Sequence, residues 1–564
     1  MWPCFSTCLM HRCEKHANYE NKKHNFAGME DMNAWFVARD STEHRQNALE
    51  WRRCSSDTSR KNHVKETGVR WSELLRLPYF DPIRFLIVDP MHCLFLGIAK
   101  WIVKRIWVDE GILTLTVLNK IQEKMKEFHV PSDLGRIPGK IDCGEGFTNF
   151  TADQWRSFFT IYATAVLWDH LPTDDRKILT HFVRVCTILV GRIIEIDLMR
   201  EAHSRLIKIV KLIELNYGRD KVTPNLHLSL HLCECSYDYG PLYAFWCFSF
   251  ERMNGVLGKA ELKFTINDYL ICTVSYISVI LFILLGSLPN SHRQIETEIM
   301  RRLMLDNKIS EIVNSGMQTK GLEILKNRES VGSLSETEFS SDDMHRFRLN
   351  YINIQESTIT GSEPFLGEML NPSSKNITLS SSMLDLMVEY YMATYESLEF
   401  RKPFGEGSLD AIIIRIKMNR FGRCRIGSEF FGSVISSRHE KSSYILAKFM
   451  TNSGIDCYPG QIQYFFTHTV DLPGGASEHY LAYVRWYRHA DSAKMRYYFS
   501  IDDDNKTCNV ELWRNDFYPE SRDCIIPVHN ILCRFVPVKY KTSNRRTAVQ
   551  YLAINPIGRK YHIR

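Results

Sequence analysis

The sequence predicts a multidomain α+β protein. A predominantly helical region, residues 69–313, precedes a β-rich domain, residues 379–564, built as a small barrel or sandwich. Three observations predict this. Apolar residues recur at three- and four-residue intervals through the first region. Short aromatic and β-branched runs, separated by Gly, Pro, Asp and Asn, fill the second. Between them, residues 314–378 are rich in Ser, Thr, Glu, Asn and Gly and too poor in aliphatics to bury a core, which marks a flexible linker.

In chain order, residues 1–68 are polar and rich in Arg, Lys, His, Asn and Asp, an irregular or partly helical remnant. From Trp71 the text pairs a β-like run, Ile83 to Val88, with a helix-like run after Pro90. Helices are then predicted in "ILTLTVLNKIQEKMKEFHV", "TADQWRSFFTIYATAVLWDHL", "DDRKILTHFVRVCTILVGRIIEIDLMREAHSRLIKIVKLIELNYG" and "TPNLHLSLHLCECSYDYG". After one more helix, "SMLDLMVEYYMATYESLEF", strands are predicted in "AIIIRIKMNRF", "EFFGSVI", "SYILAKFM", "GQIQYFFTHTV", "HYLAYVRWYRH", "MRYYFSID", "NVELW" and "CIIPVHNILCRFVPV". The basic end, "KTSNRRTAVQYLAINPIGRKYHIR", reads as a solvated tail first and a phosphate-contacting segment second.

Composition narrows the classes. With 44% apolar residues the chain can fill cores, and 71 basic against 65 acidic residues leave a mild net charge of +6 that permits nucleic acid without indicating it. The first residues lack the apolar core of a secretory signal, so the 16 cysteines are expected to be reduced and intracellular. No Cys-x-x-Cys pair occurs, which excludes a zinc knuckle made of cysteines alone. The apolar run Leu270–Leu285 is short of the roughly 20 residues needed to cross a bilayer, so a membrane role ranks last.

Four motifs carry candidate chemistry. Asp89-Pro-Met-His92 follows the strand-like run, where both polar side chains can project toward a ligand; equally, Asp89 caps a helix whose first residue is Pro90. In "YGPLYAFWCFSFERMNG", Trp246, Phe250, Met253 and Leu257 recur at helical spacing beside Glu251, which is either a first-turn acid favoured by the helix dipole or a catalytic carboxylate. His227 and His231 are four apart and share a helical face, a spacing compatible with metal ligation, although buried hydrogen-bonded histidines are the commoner outcome. Asp502-Asp503-Asp504 reads as a solvated hairpin tip first and a metal site second.

The motifs "LLRLPYFDPIRFLIVDPMHCLFLGIAKW", "GRIPGKI", "FTADQWRSFF", "VTPNLHLSLHL" and "YGPLYAFWCFSFERMNGVLG" resemble, in this order, the transposases of CACTA-type (En/Spm-like) DNA transposons, particularly fungal-type copies. The resemblance covers about residues 25–258 and resumes at Gly286. It implies a ribonuclease-H-like core with a large α-helical insertion, in which three acidic residues bind two Mg or Mn ions that clamp the attacking and leaving oxygens during DNA strand cleavage and transfer. By resemblance Glu251 is the third acid, Asp89 and His92 are the Asp-x-x-His signature, and Trp155 and Trp246 are matched aromatic positions. DNA at transposon ends is the implied partner, a homo-oligomer is compatible with it, and the nucleus is the implied location.

The chain departs from the pattern in two places. Cys13 matches the second cysteine of a Cys-x-x-Cys pair whose first position is occupied by Met10, and the first two acids of the resemblance would lie upstream of it. Asp31 and Asp40 lie on the wrong side of that landmark. An N-terminally truncated core with one acid cannot hold two metals in register, so the expectation is a catalytically inactive derivative, with a non-catalytic DNA-binding or protein-interaction module as the alternative. Lys259–Leu285 also interrupts the pattern, in which Gly258 would lead directly to "SLPNSHRQIE" after Gly286. That block reads as a retained intron translated in frame, and genomic codons lacking donor and acceptor dinucleotides at its two ends would end the idea.

Overall fold

A computed structural model describes residues 12–252 and 359–557, apart from 21, 29–35, 135–139, 142–145, 148, 192–194, 366, 406–407, 428, 452–453, 501–508 and 543–548. Two compact units emerge, Met1–Phe245 with Ser341–Arg564, and Trp246–Ser340. Met10, Asp31, the 259–285 block and Asp502–Asp504 lie outside the described residues. Among the described residues no helix is long and apolar enough to cross a membrane.

The first unit is mixed helix and sheet, helices first. Its N-terminal part holds a two-stranded ribbon, β1 Asn18–Glu20 and β2 Lys23–Asn25, and the helices Ser41–Arg53 and Asp57–Thr67. Both helices start where short polar side chains accept from the first free amides, Asp40 from Glu43 and Ser56 from Ser59. The second ends on Gly68 at φ 70°, a left-handed stop that glycine adopts without strain. This segment is not merely a polar remnant, because Cys13, Phe26 and Ala27 are buried.

The β-like run Ile83–Val88 is a turn, not a strand. Asp81 explains it: its carboxylate accepts from the amides of Ile83 and Arg84 at 2.8 and 3.0 Å, and its carbonyl from Phe85. That local turn satisfies the backbone groups a ladder would otherwise need. The helix after Pro90 is real but wound with wide π turns, Met91–Ala99 and Trp101–Val108. At Gly97 a Cβ would meet Asn225 Nδ2 at 2.6 Å, so glycine lets this helix lie against the Pro224–Ser229 helix.

The predicted amphipathic helices follow: Leu115–Met125, a run from Ala152 to Leu167, Thr173–Leu189, Ile196–Tyr217, Pro224–Ser229 and Leu232–Tyr239. Trp155 is fully buried between Phe147 and Phe150, with ring centroids 5.3 and 5.1 Å away. Asp175, a buried acid, accepts from Trp107 Nε1 at 2.7 Å and Tyr217 OH at 2.6 Å; burial raises its carboxyl while the two donors oppose that shift.

The later strands are β3 Gly367–Thr378, β4 Phe400–Arg401, β5 Ile412–Ile413, β6 Lys417–Ile426, β7 Glu429–Phe431, β8 Tyr444–Thr451, β9 Gly454–Leu472, β10 Gly475–His489, β11 Glu511–Phe517, β12 Ile525–Pro527, β13 Ile531–Lys541 and β14 Gln550–Ile557. All but the short parallel pair β4 and β5 join one ten-stranded antiparallel sheet. Its pairings run β10-β11-β14-β13-β8-β9, and β9 pairs β10 again, so these six strands close on one another as a barrel does. The Ser381–Thr394 helix buries Met387 and Tyr391 in the same core as Phe466, Val470 and Leu481.

Three expectations change here. Gly367–Thr378, assigned to the linker on composition, is an edge strand whose mostly exposed side chains have no reason to be aliphatic. The described part of "MRYYFSID", Met495–Ser500, is not a strand: Ser492 caps the short Ala493–Arg496 helix, and Arg496 is held by Asp456 and Glu511. The basic tail is interrupted by β14, buried between β11 and β13 with Tyr551 to Asn555 enclosed.

Candidate functional site

Asp89 does both things its sequence context suggests. Its carboxylate accepts from the backbone amides of Met91 and His92 at 3.2 and 3.0 Å, capping the helix that Pro90 begins, and its Oδ2 lies 2.5 Å from His92 Nδ1. The pair is fixed to the helix start, with the imidazole side chain 52% exposed. A cap of this kind organises a helix end; it also presents a carboxylate–imidazole pair suited to proton transfer or phosphate contact.

Glu251 belongs to the second unit. It lies near the start of a helical segment that begins at Phe248, its amide donating to Cys247 O at 2.8 Å, and it is exposed. Trp246 packs edge-on against Phe248 with centroids 5.0 Å apart, and Phe250 is exposed. Met253 and Leu257 of the predicted stripe lie outside the described residues. Trp155, matched by motif, is a core residue rather than a surface contact.

His227 and His231 do converge, but on a broken helix: Pro224–Ser229 ends before Leu232–Tyr239 begins, and His231 sits at the join. Their ring centroids are 5.3 Å apart. Cys13 joins them from 214 positions away, its Sγ 3.0 Å from His227 Nε2, and donor atoms of all three lie within 4.8 Å of one another. All three are fully buried, walled by Phe26 and Phe36. Burial pushes the Cys13 thiol up to about 11. A Cys–His pair can serve as a nucleophile and base, and here both partners are enclosed. His231 Nδ1 faces Glu234 Oε2 at 2.9 Å, a carboxylate the sequence reading passed over. Its position three residues after His231 was the available signal.

A separate cleft of about 760 Å³ opens where the Leu115–Met125 helix and the Ala163–Leu167 helix meet β13 and β14. Lys120, Lys124, Lys539 and Lys541 line it, with Glu127 and Asp169 as the acids. Lys124 is paired with Glu127 at 2.7 Å, and Asp169 accepts from Tyr540 OH at 2.7 Å.

No protein-family model matches the chain, and neither does any curated protein or solved structure.

Proposed function

We propose that this chain is a transposase-derived protein of the CACTA type, with the remains of a ribonuclease-H-like core, that binds DNA without cutting it. The ordered motif series supports the ancestry. The observation that carries DNA binding is the gathering of four lysines, from positions 120 and 124 and from 539 and 541, around one cleft of about 760 Å³. Lysines brought together from distant segments form a surface suited to a phosphate backbone, whose neutralisation supplies most non-specific affinity. Of the three acids the resemblance implies, the motif series matches one here, Glu251, and a single carboxylate does not by itself clamp two Mg or Mn ions. A nuclear location and a homo-oligomer belong to the same proposal.

The test uses the full chain. Mobility shift of duplex DNA across salt concentrations is expected to show binding that weakens linearly in log–log form, with Lys539→Glu and Lys541→Glu each weakening binding and lowering the slope by about 1. No shift at low salt would overturn DNA binding. Nicking of duplex DNA in Mg²⁺ or Mn²⁺ that vanishes in Glu251→Ala would overturn the non-cutting half.

A further inference from the structure

We propose that the cleft bearing Lys120, Lys124, Lys539 and Lys541 takes a single unpaired strand of DNA, with a base inside it and phosphates on its rim. The inference rests on the DNA-binding reading above and names the form of DNA that fits.

Each wall carries a pair of charges on one face. Lys120 and Lys124 are four apart on the Leu115–Met125 helix, about 6 Å along its axis, and Lys539 and Lys541 are two apart on β13, about 7 Å along the strand. Both intervals are close to that between successive phosphates of one nucleic-acid strand. The neighbouring acids are already engaged, Glu127 by Lys124 at 2.7 Å and Asp169 by Tyr540 OH at 2.7 Å. Among the described residues Lys120, Lys539 and Lys541 form no ion pair, which leaves three positive charges to meet phosphate.

The interior offers more than a backbone needs. Tyr444 on β8 and Tyr487 on β10 line it, together with the side-chain amides of Asn515 and Gln550. Gln550 lies opposite Lys541 in the β13–β14 register, so an amide stands directly beside a lysine. Tyr487 is 6% exposed, yet its hydroxyl has no partner among the described residues, whereas a buried phenol is ordinarily hydrogen-bonded. Tyr444 is half-buried, with the exposed His129 ring set edge-on to it at 6.0 Å between centroids. Aromatic surface for stacking, with amides and an open phenol for the base edge, is the set that an unstacked base requires.

Size sets strand against duplex. About 760 Å³ lies within the roughly 300–1,000 Å³ of sites that enclose a small ligand. The bases of a duplex are paired and stacked, so only its backbone can meet such a cleft, and the groups inside stay unmatched. A single strand brings a base and its flanking phosphates together. The walls are also joined in advance: the His129 amide donates to Pro537 O at 3.3 Å, and Lys124 donates to the Lys539 carbonyl. Helix and sheet are therefore tied across the cleft before a strand arrives, which lowers the ordering cost of binding.

The test is fluorescence anisotropy of the full chain with a labelled oligothymidylate of about 12 nucleotides and with a duplex of equal length, at matched salt. The single strand is expected to bind at least about tenfold more tightly. Tyr487→Phe keeps the ring and removes the hydroxyl, and Tyr444→Leu keeps apolar bulk and removes the aromatic face. Each should weaken the single strand, the second by roughly fivefold to hundredfold, and leave the duplex unchanged. Lys541→Glu should weaken both forms. Duplex binding as tight as that of the single strand, or single-strand binding that neither tyrosine variant moves, overturns the inference and leaves DNA binding standing. Failure of both forms to bind at low salt overturns the DNA reading itself. Oligouridylate or thymidine monophosphate competing as well as the oligothymidylate overturns the assignment to a DNA strand. Should Tyr444→Leu fail to fold, Gln550→Ala at an exposed position takes its place: weaker single-strand binding with the duplex unchanged supports the inference, and no change overturns it.

Discussion

Arg534 and Asp133, 401 positions apart, form a two-pronged ion pair, Nη1 to Oδ1 at 2.9 Å and Nη2 to Oδ2 at 2.8 Å. The arginine side chain is 2% exposed and the aspartate 41%. Arg534 lies on β13 and Asp133 follows the Leu115–Met125 helix, so the pair joins the sheet to the helices. Asn555 on β14 adds to this seam, its Nδ2 donating to Thr160 O and Ile161 O at 2.8 Å. Removing Asp133 leaves a buried guanidinium that only partly regains water. Asp133→Ala is expected to cost about 1–3 kcal/mol in denaturant unfolding. A double-mutant cycle with Arg534→Met should recover part of that loss, and purely additive effects would show the pair to be uncoupled.

Trp155 separates core packing from function. Its ring fills a fully buried aromatic cluster, and its Nε1 is buried without a hydrogen-bond partner. Trp155→Ala should cost about 3–5 kcal/mol, whereas Trp155→Phe removes the orphan N–H and should cost markedly less. Equal losses in thermal unfolding would mean the indole N–H contributes more than its surroundings imply.

The sheet domain carries an acid-sensitive histidine. His468 is buried on β9; its Nε2 lies 2.8 Å from Arg415 O and its Nδ1 2.9 Å from Tyr391 OH. The neutral tautomer therefore donates from Nε2 and accepts at Nδ1. Burial pushes its pKa down to about 4 from 6.5. Between these values the unfolded chain binds a proton that the folded one refuses, so stability falls as pH drops from about 6.5 to 4, by up to about 3 kcal/mol. His44, also pushed down to about 4 by burial, acts in the same direction. Unfolding measured across this window should show the slope, and His468→Gln should flatten it while lowering stability at neutral pH. An unchanged slope in the variant would remove His468 from the account.

The Asp89 cap gives a smaller, sharper outcome. Asp89→Ala loses both amide acceptors at the helix start and should cost about 1 kcal/mol, while Asp89→Asn keeps an acceptor and should cost less. If DNA binding survives Asp89→Ala once this loss is allowed for, the residue is structural; if binding falls in Asp89→Asn as well, the charge matters directly.

Much of the fold was legible because it is local. The helices from Leu115 to Tyr239 follow from apolar periodicity, and most strands from alternating aromatic and β-branched runs. The failures share a cause. Ile83–Val88 has strand composition, but Asp81 supplies a closer partner for its backbone than any neighbouring strand. β3 looks like linker because an exposed edge demands no aliphatic side chains, and β14 is hidden because its buried stretch is short and flanked by basic residues.

The sequence by itself determined the order of a helical half and a β-rich half, the helix start after Pro90, and the motif series on which the proposed ancestry rests. Only the tertiary structure decided that the strands close through a β9–β10 pairing, that Trp155 is core, and that Cys13 reaches His227 and His231. Periodicity and capping act over a few residues and are written in the neighbouring text. A contact across 214 positions is decided by how separate segments pack, and no spacing rule along the chain encodes it.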